Sequence, residues 1–462
     1  QRFLAACRLK SSAMAAKILS SAEGHLYKEE ADDALAAGNE ALEKFKDAKD
    51  GKGTADALRV VIGAKILQGE RKEANRLARD QLAAFREAGD KKGIAKMLLA
   101  VAEVNSDKRG PKNREDALEA AREARVLLQE QGEAKLEAAA LLEEANIHFK
   151  RGGDRDAVVQ EAMGPLNEAL ALFRKAGDKK GEGAALHALA VARVKGEALA
   201  GGLQAAKEAF DIFHDAGLKK LEALELQTIA EWNLLDENPT EALQAAQDAH
   251  AIFQEIKNKQ GEALAKDTVV QSYIRCGEVR EAMKVATSTL DECKQAGDAA
   301  GEAAALGMLL PCHLAEGNTE KAMEVARDAA AAFKSVQDKR GEMKVLHLLG
   351  QLDLRYQQPD QAMQSLEVAE TISKEFGTAQ DAAAIQHTLA SAHLAKEDGE
   401  SALAAATAGR EIFKSLGAPN AEASALMNAA GVHVLKKDFE GAVAAAAEAQ
   451  EILHECGDQR AE

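Results

Sequence analysis

Eleven histidines are the first candidates for chemistry in this 462-residue sequence, and six of them fall into two columns. One column holds His313, His393 and His433; the other holds His187, His347 and His387, with spacings that are multiples of 40 residues. Imidazoles can bind zinc or move protons, but a metal needs several donors converging on one point. Side chains one repeat apart on stacked helices stand about 10 Å from each other. The spacing therefore makes a ladder rather than a cage, and the first column reads as helix packing. Carboxylates recur as well, at Glu137, Glu182, Glu222, Glu262, Glu302, Glu342 and Glu422. Each is expected alone on an exposed first turn, without the second group that acid–base catalysis requires. Gly51-Lys52-Gly53-Thr54 lacks the G-x-x-x-x-G-K-[ST] spacing and the preceding strand of a phosphate loop. No H-E-x-x-H, G-x-S-x-G or cysteine cluster is present. The sequence assigns no catalytic residue, no metal ligand and no cofactor, and the expectation is a protein that is not an enzyme.

These residues recur because the chain itself repeats. Phe173, Phe213, Phe253, Cys293, Phe333, Phe413 and Leu453 share one 40-residue register, Ser373 takes the remaining rung, and Phe45 and Phe85 keep the same step upstream. Seven of the 12 phenylalanines occupy this position, so it is a structural anchor. Eleven residues before it stand Ala34, Ala74, Ala117, Ala242, Ala282, Ala322, Ala402 and Ala442; four before it stand Ala41, Ala124, Ala169, Ala209, Ala249, Ala329 and Ala449. Small residues seven apart share a helix face and let a neighbouring helix approach. After each anchor comes a break such as Gly89-Asp90, Gly177-Asp178 or Gly297-Asp298. Gly ends a helix in the left-handed conformation and Asp caps the next. That next helix carries Leu186/Leu189, Leu226/Ile229, Leu306/Leu309 or Leu346/Leu349 on one face. A second break follows, and the unit is helix A, turn, helix B, turn. One hairpin cannot bury both its faces, so neighbours must stack.

Residues 1–12 are expected as an N-terminal lead-in and 13–462 as the solenoid. Irregular insertions fall near 105–116 and 152–165, where Gly164-Pro165 and the run from Asn105 to Asp116 are expected as protruding loops. Composition agrees with an all-α chain: Ala, Leu, Glu and Lys are strong helix formers. With Asp+Glu 76 against Lys+Arg 59, the net charge of −17 disfavours nucleic acid as a partner. No apolar run approaches the ~18 residues of a membrane helix, so direct membrane insertion is not expected. Five cysteines without a C-x-x-C pair fit a reducing, intracellular compartment, the cytoplasm first. An organelle stays open as well, because the chain starts at Gln1 rather than Met.

The alanine column in helix B, the leucine pairs in helix A and the large residue closing helix B together resemble the tetratricopeptide repeat (TPR). The 40-residue step and the G-D-x-x-G-E-A linker are most similar to its long-helix form, found in kinesin light chains and in spindle-orientation adaptors with Leu-Gly-Asn repeats. The resemblance covers essentially the whole chain. It departs where the family has an aromatic near the end of helix A: here the column reads His25, Arg193, Asn233, Tyr273, His313, Asp353, His393 and His433. The implied architecture is all-α, a right-handed superhelical solenoid of about eleven TPR-like hairpins. The resemblance also implies that the second histidine column faces a concave groove. Candidate partner-binding residues there are His187, Gln227, Glu231, Asp267, Gln271, His347, Gln351, His387, Ser391 and Asn428. Polar groups on an apolar helix face can read a peptide backbone. The basic pairs Lys91-Lys92, Lys179-Lys180, Lys219-Lys220 and Lys339-Arg340 are expected chiefly as solvated turns. The implied function is a non-catalytic scaffold or adaptor that holds a protein or peptide segment in the groove. The alternative is a structural subunit that touches several neighbours in a larger assembly through its edges and ends.

Overall fold

A computed structural model describes residues 2–106, 110–151 and 155–455. Among these residues there are twenty-two α-helices and no strand, in two compact units, 1–225 and 226–462. The first unit holds α1 (Arg2–Tyr27), α2 (Ala31–Ala48), α3 (Gly51–Leu67), α4 (Arg71–Ala88), α5 (Lys91–Asn105), α6 (Pro111–Gln131), α7 (Ala134–Arg151), α8 (Arg155–Ala176), α9 (Lys179–Lys195) and α10 (Leu199–Asp215). The boundary falls within α11 (Lys219–Leu235). The second unit continues with α12 (Pro239–Glu255), α13 (Lys259–Arg275), α14 (Val279–Ala296), α15 (Ala299–Ala315), α16 (Thr319–Ser335) and α17 (Lys339–Arg355). It ends with α18 (Pro359–Phe376), α19 (Ala379–Ala395), α20 (Gly399–Ser415), α21 (Pro419–Leu435) and α22 (Phe439–Glu455). Odd-numbered helices are helix A and even-numbered ones helix B, which makes about eleven hairpins.

The anchor and the alanine columns form the core between hairpins. Phe45, Phe173, Phe213, Phe253, Phe333 and Phe413 are buried, as are both alanine columns. Each such ring contributes about 1.5–3 kcal/mol relative to exposure. The ring also explains the second glycine of the linker. A Cβ added at Gly53, Gly181, Gly261 or Gly341 would meet the ring of Phe45, Phe173, Phe253 or Phe333 at 2.2–2.4 Å. In these hairpins the helix that follows the anchor starts flush against an aromatic face, whereas Leu221 and Ala421 hold the same position after Phe213 and Phe413.

The turns follow a backbone rule stricter than glycine usage. Positive φ occurs at Glu197, Gly217, Glu237, Lys257, Gly277, Gly297, Gly317, Gln337, Gln357, Glu397, Gly417 and Lys437, one residue in every turn of that stretch except one. Seven of these twelve residues are not glycine and carry the modest strain of the left-handed region. The exception is the α18–α19 turn, beside the Ser373 rung. There Gly377 is extended at φ −78°, and Thr378 and Asp381 close a reciprocal capping box at the start of α19.

Of the segments near 105–116 and 152–165 expected as loops, residues 111–116 and 155–165 are helical, while Ser106 and Gly110 lie in a turn and a bend; residues 107–109 and 152–154 lie outside the described residues. Pro111 opens the 21-residue α6 at a position where its missing N–H costs nothing. Pro165 lies inside the 22-residue α8. It removes one intrahelical bond, at a cost of about 3 kcal/mol. Burial of Ala162, Leu166, Ala169 and Phe173 on the same helix outweighs that loss. Residues 2–12 are likewise helical within α1, which meets no glycine or proline before Gly24.

Candidate functional site: the helix A groove

In the second unit the helix A faces of α13, α15 and α17 line a groove of about 730 Å³. Its floor belongs to α15. In the register where other hairpins carry His, Gln or Asp, α15 has Gly307, and a Cβ there would meet nothing closer than the Phe333 ring at 3.7 Å. Ala304, Met308 and Pro311 continue the floor, while Asp267, Gln271 and Arg275 stand on α13 and Arg340, Lys344 and Leu348 on α17. The missing side chain at Gly307 is thus what opens the space between flanking helices.

The groove is polar on its α13 wall. Gln271 donates Nε2–H to an Asp267 carboxylate oxygen at 2.7 Å. Burial holds the Asp267 carboxyl above the usual carboxylate range, against the pull of Gln271 and of the Lys344 charge. The rest of the candidate column builds hydrogen bonds from one helix A to the next. His187 Nδ1 pairs with Glu225 at 2.8 Å, and Gln227 donates to Thr268 Oγ1 at 2.6 Å and to Glu231 at 2.8 Å. His347 Nε2 meets Thr388 Oγ1 at 2.9 Å, with Gln351 at 3.2 Å. Asn428 Nδ2 reaches His387 Nδ1 at 3.1 Å and Ser391 Oγ at 3.2 Å. Of the ten residues picked from the sequence, Asp267 and Gln271 line the groove, and the other eight form a polar ladder in the equivalent register.

The ladder sets histidine acidity in two directions. At His187 burial favours the neutral ring, but the hydrogen bond and charge of Glu225 outweigh it and raise the pKa. At His347 and His387 no carboxylate is in contact, and burial lowers the pKa. Glu225 and the groove residues Arg275, Lys344 and Pro311 were not selected from sequence. A glycine interrupting a polar column, followed four residues later by proline, was the available signal.

No family model matches the chain, and no curated protein matches it. Among solved structures, the apo form of RapI aligns at a TM-score of 0.56 and 11% identity, over 78% of this chain and 98% of RapI. The apo form of the quorum sensor NprR from B. thuringiensis aligns at 0.52 and 13%, over 77% of this chain and 97% of NprR. Both are TPR-repeat proteins. The fold is a TPR-like helical repeat.

Two expectations change in the TPR-like hairpins of this chain. Glu137, Glu182, Glu222, Glu342 and Glu422 are buried rather than exposed. Most are paired: Glu182 binds Arg174 and Lys179 at 2.9 and 2.8 Å, Glu222 binds His214 at 2.9 Å, and Glu342 binds Lys339 at 2.7 Å. Burial alone would raise Glu182, but its two cations hold it below the usual range. The carboxylate sits in the first turn, where the helix dipole favours it, and the linker lysine folds back three residues to cover it.

The lysine pairs are accordingly structural in several turns. Lys180 Nζ donates to the Tyr27 carbonyl at 2.8 Å, and Glu29 binds Lys220 at 2.7 Å and Lys180 at 3.5 Å. This ties the α1–α2 turn to α9 and α11 within the first unit. In the aromatic slot, His25, His393 and His433 pair with Glu30, Asp398 and Asp438, which open the next helix. His25, Glu30 and Asp33 also bring three potential metal donors together. The same histidine–acid pair recurs in two other turns, so this one belongs to the hairpin.

Proposed function

We propose that this chain is a non-catalytic protein-interaction scaffold that holds an extended partner segment along its helix A faces. The open groove over Gly307 carries this reading. Its volume lies within the about 300–1,000 Å³ of ligand clefts, enough for a short stretch of chain and too small for a folded domain. RapI and NprR supply the fold comparison, and NprR is named a quorum sensor. Asp267, Gln271, His347 and Gln351 are the proposed contacts in the second unit, with Gln227, Glu231, His387, Ser391 and Asn428 continuing the same register and His187 its counterpart in the first. No helix among the described residues is long and apolar enough to cross a membrane.

The experiment is affinity capture by the native protein followed by mass spectrometry. Gln271→Ala with Gln351→Ala should reduce capture of its main partner several-fold while circular dichroism stays unchanged. Full capture by the folded double variant would contradict the reading. A second reading, a structural subunit of a larger assembly, is favoured by Val434, Phe439 and Val443 on the last hairpin, 54%, 65% and 69% exposed. Capture insensitive to the groove but lost in Phe439→Ser would support it.

A further inference from the structure

The groove does more than offer space; its free charges have one sign. Resting on the scaffold reading, we infer that the groove of α13, α15 and α17 takes an extended peptide bearing an acidic side chain next to an apolar one.

Arg275 and Lys344 stand on opposite walls and form no ion pair or side-chain hydrogen bond among the described residues. Lys344 acts on Asp267 only through space. Arg340 uses Nε on the Phe376 carbonyl at 3.2 Å, which leaves the rest of its guanidinium fork open. The two acids present are already engaged. Asp338 accepts from the Arg340 and Gly341 amides at 3.1 and 3.0 Å as the cap of α17. Asp267 accepts from Gln271. Three cations against these two carboxylates leave the lining at a formal net charge of +1, where the chain as a whole carries −17, and opposite potentials are what select a partner.

The floor supplies the other half of the match. Exposed Leu264 on α13 and half-buried Leu348 on α17 flank it with apolar surface, over the buried Met308 and Val345. Pro311 has no N–H, so the Gly307 carbonyl lacks the donor that a residue four positions on would normally provide. Gly307 and Pro311 both line the groove, so an extended peptide laid along its floor runs over a stretch of α15 with one helical N–H missing. An acidic side chain then reaches Lys344, Arg275 or Arg340, and its apolar neighbour rests on Leu264 and Leu348.

The test is selection from a synthetic library of end-blocked octapeptides on the immobilised full chain, with sequencing of what is retained. Asp or Glu beside Leu, Ile or Phe should be enriched, and raising the salt should weaken retention of the selected peptides. Lys344→Glu changes an exposed side chain and leaves the fold intact; it should weaken those peptides about fivefold. The double variant Arg275→Glu with Lys344→Glu should shift the enrichment toward Lys and Arg. Gly307→Leu, which fills the floor, should weaken all selected peptides about tenfold or more. Neutral or basic peptides that the wild type selects and Gly307→Leu loses would overturn the acidic preference and leave the groove reading standing. Retention indifferent to both Gly307→Leu and Lys344→Glu, or no enrichment at all, would overturn both.

Discussion

At the scale of single residues, identical side chains differ because their neighbours differ. His187 faces Glu225, whereas His347 and His387 face hydroxyl and amide groups. The ordinary histidine value is about 6.5. His187 is raised above it, so the stability from its pairing is present below 6.5 and fades as pH climbs through the folded value. His347 and His387 are lowered, so their contribution is present above 6.5 and fades as pH falls toward their folded values. Proton NMR titration should therefore place His187 above 6.5 and the other two below it, and Glu225→Gln should drop His187 alone. The cysteines separate in the same way. Burial pushes the Cys312 thiol up to about 11, while Cys276 is half-buried. Iodoacetamide at pH 8, read by peptide mapping, should label Cys276 well before Cys312.

At the scale of helices and turns, the fold rests on close approach. Gly261→Ala puts a Cβ 2.3 Å from the Phe253 ring and should cost about 1–3 kcal/mol in urea unfolding. Adding Phe253→Leu should recover part of that loss, because the ring is the obstacle. In the first unit, Glu29→Gln should loosen the α1–α2 turn by about 1–2 kcal/mol, seen as faster amide exchange in α1 and α2. The periodic anchor, the alanine columns and the hairpin count were all legible in the sequence, because burial in a stack imposes the same residue at the same place in every unit. Other features were not. Glu182 and Glu342 read as solvent-facing, since a linear pattern does not show Lys179 and Lys339 folding over them. Gly164-Pro165 read as a break, since local propensity cannot register the burial of Leu166 and Phe173 that keeps α8 continuous. The turn positions with φ near +60° at Glu197, Lys257 and Gln337 carry no glycine to announce them.

At the scale of the molecule, one unit is repeated many times, and the proposed site lies where a repeat departs from its neighbours. The polar column runs along the helix A face on which the groove lies, yet most of its members are spent on bonds between adjacent hairpins. The groove opens where the column is interrupted, at Gly307. Polar residues in a register are therefore ambiguous between ladder and binding site until partners are assigned. The most direct test of the account is site-specific photo-crosslinking in cells, with a benzophenone side chain at position 271 on α13 or at the exposed position 368 on α18. The account predicts adducts from position 271, mapped to one short segment of a partner and reduced by Gly307→Leu, with none shared by position 368. Adducts confined to position 368, or adducts at 271 unchanged by Gly307→Leu, would contradict it.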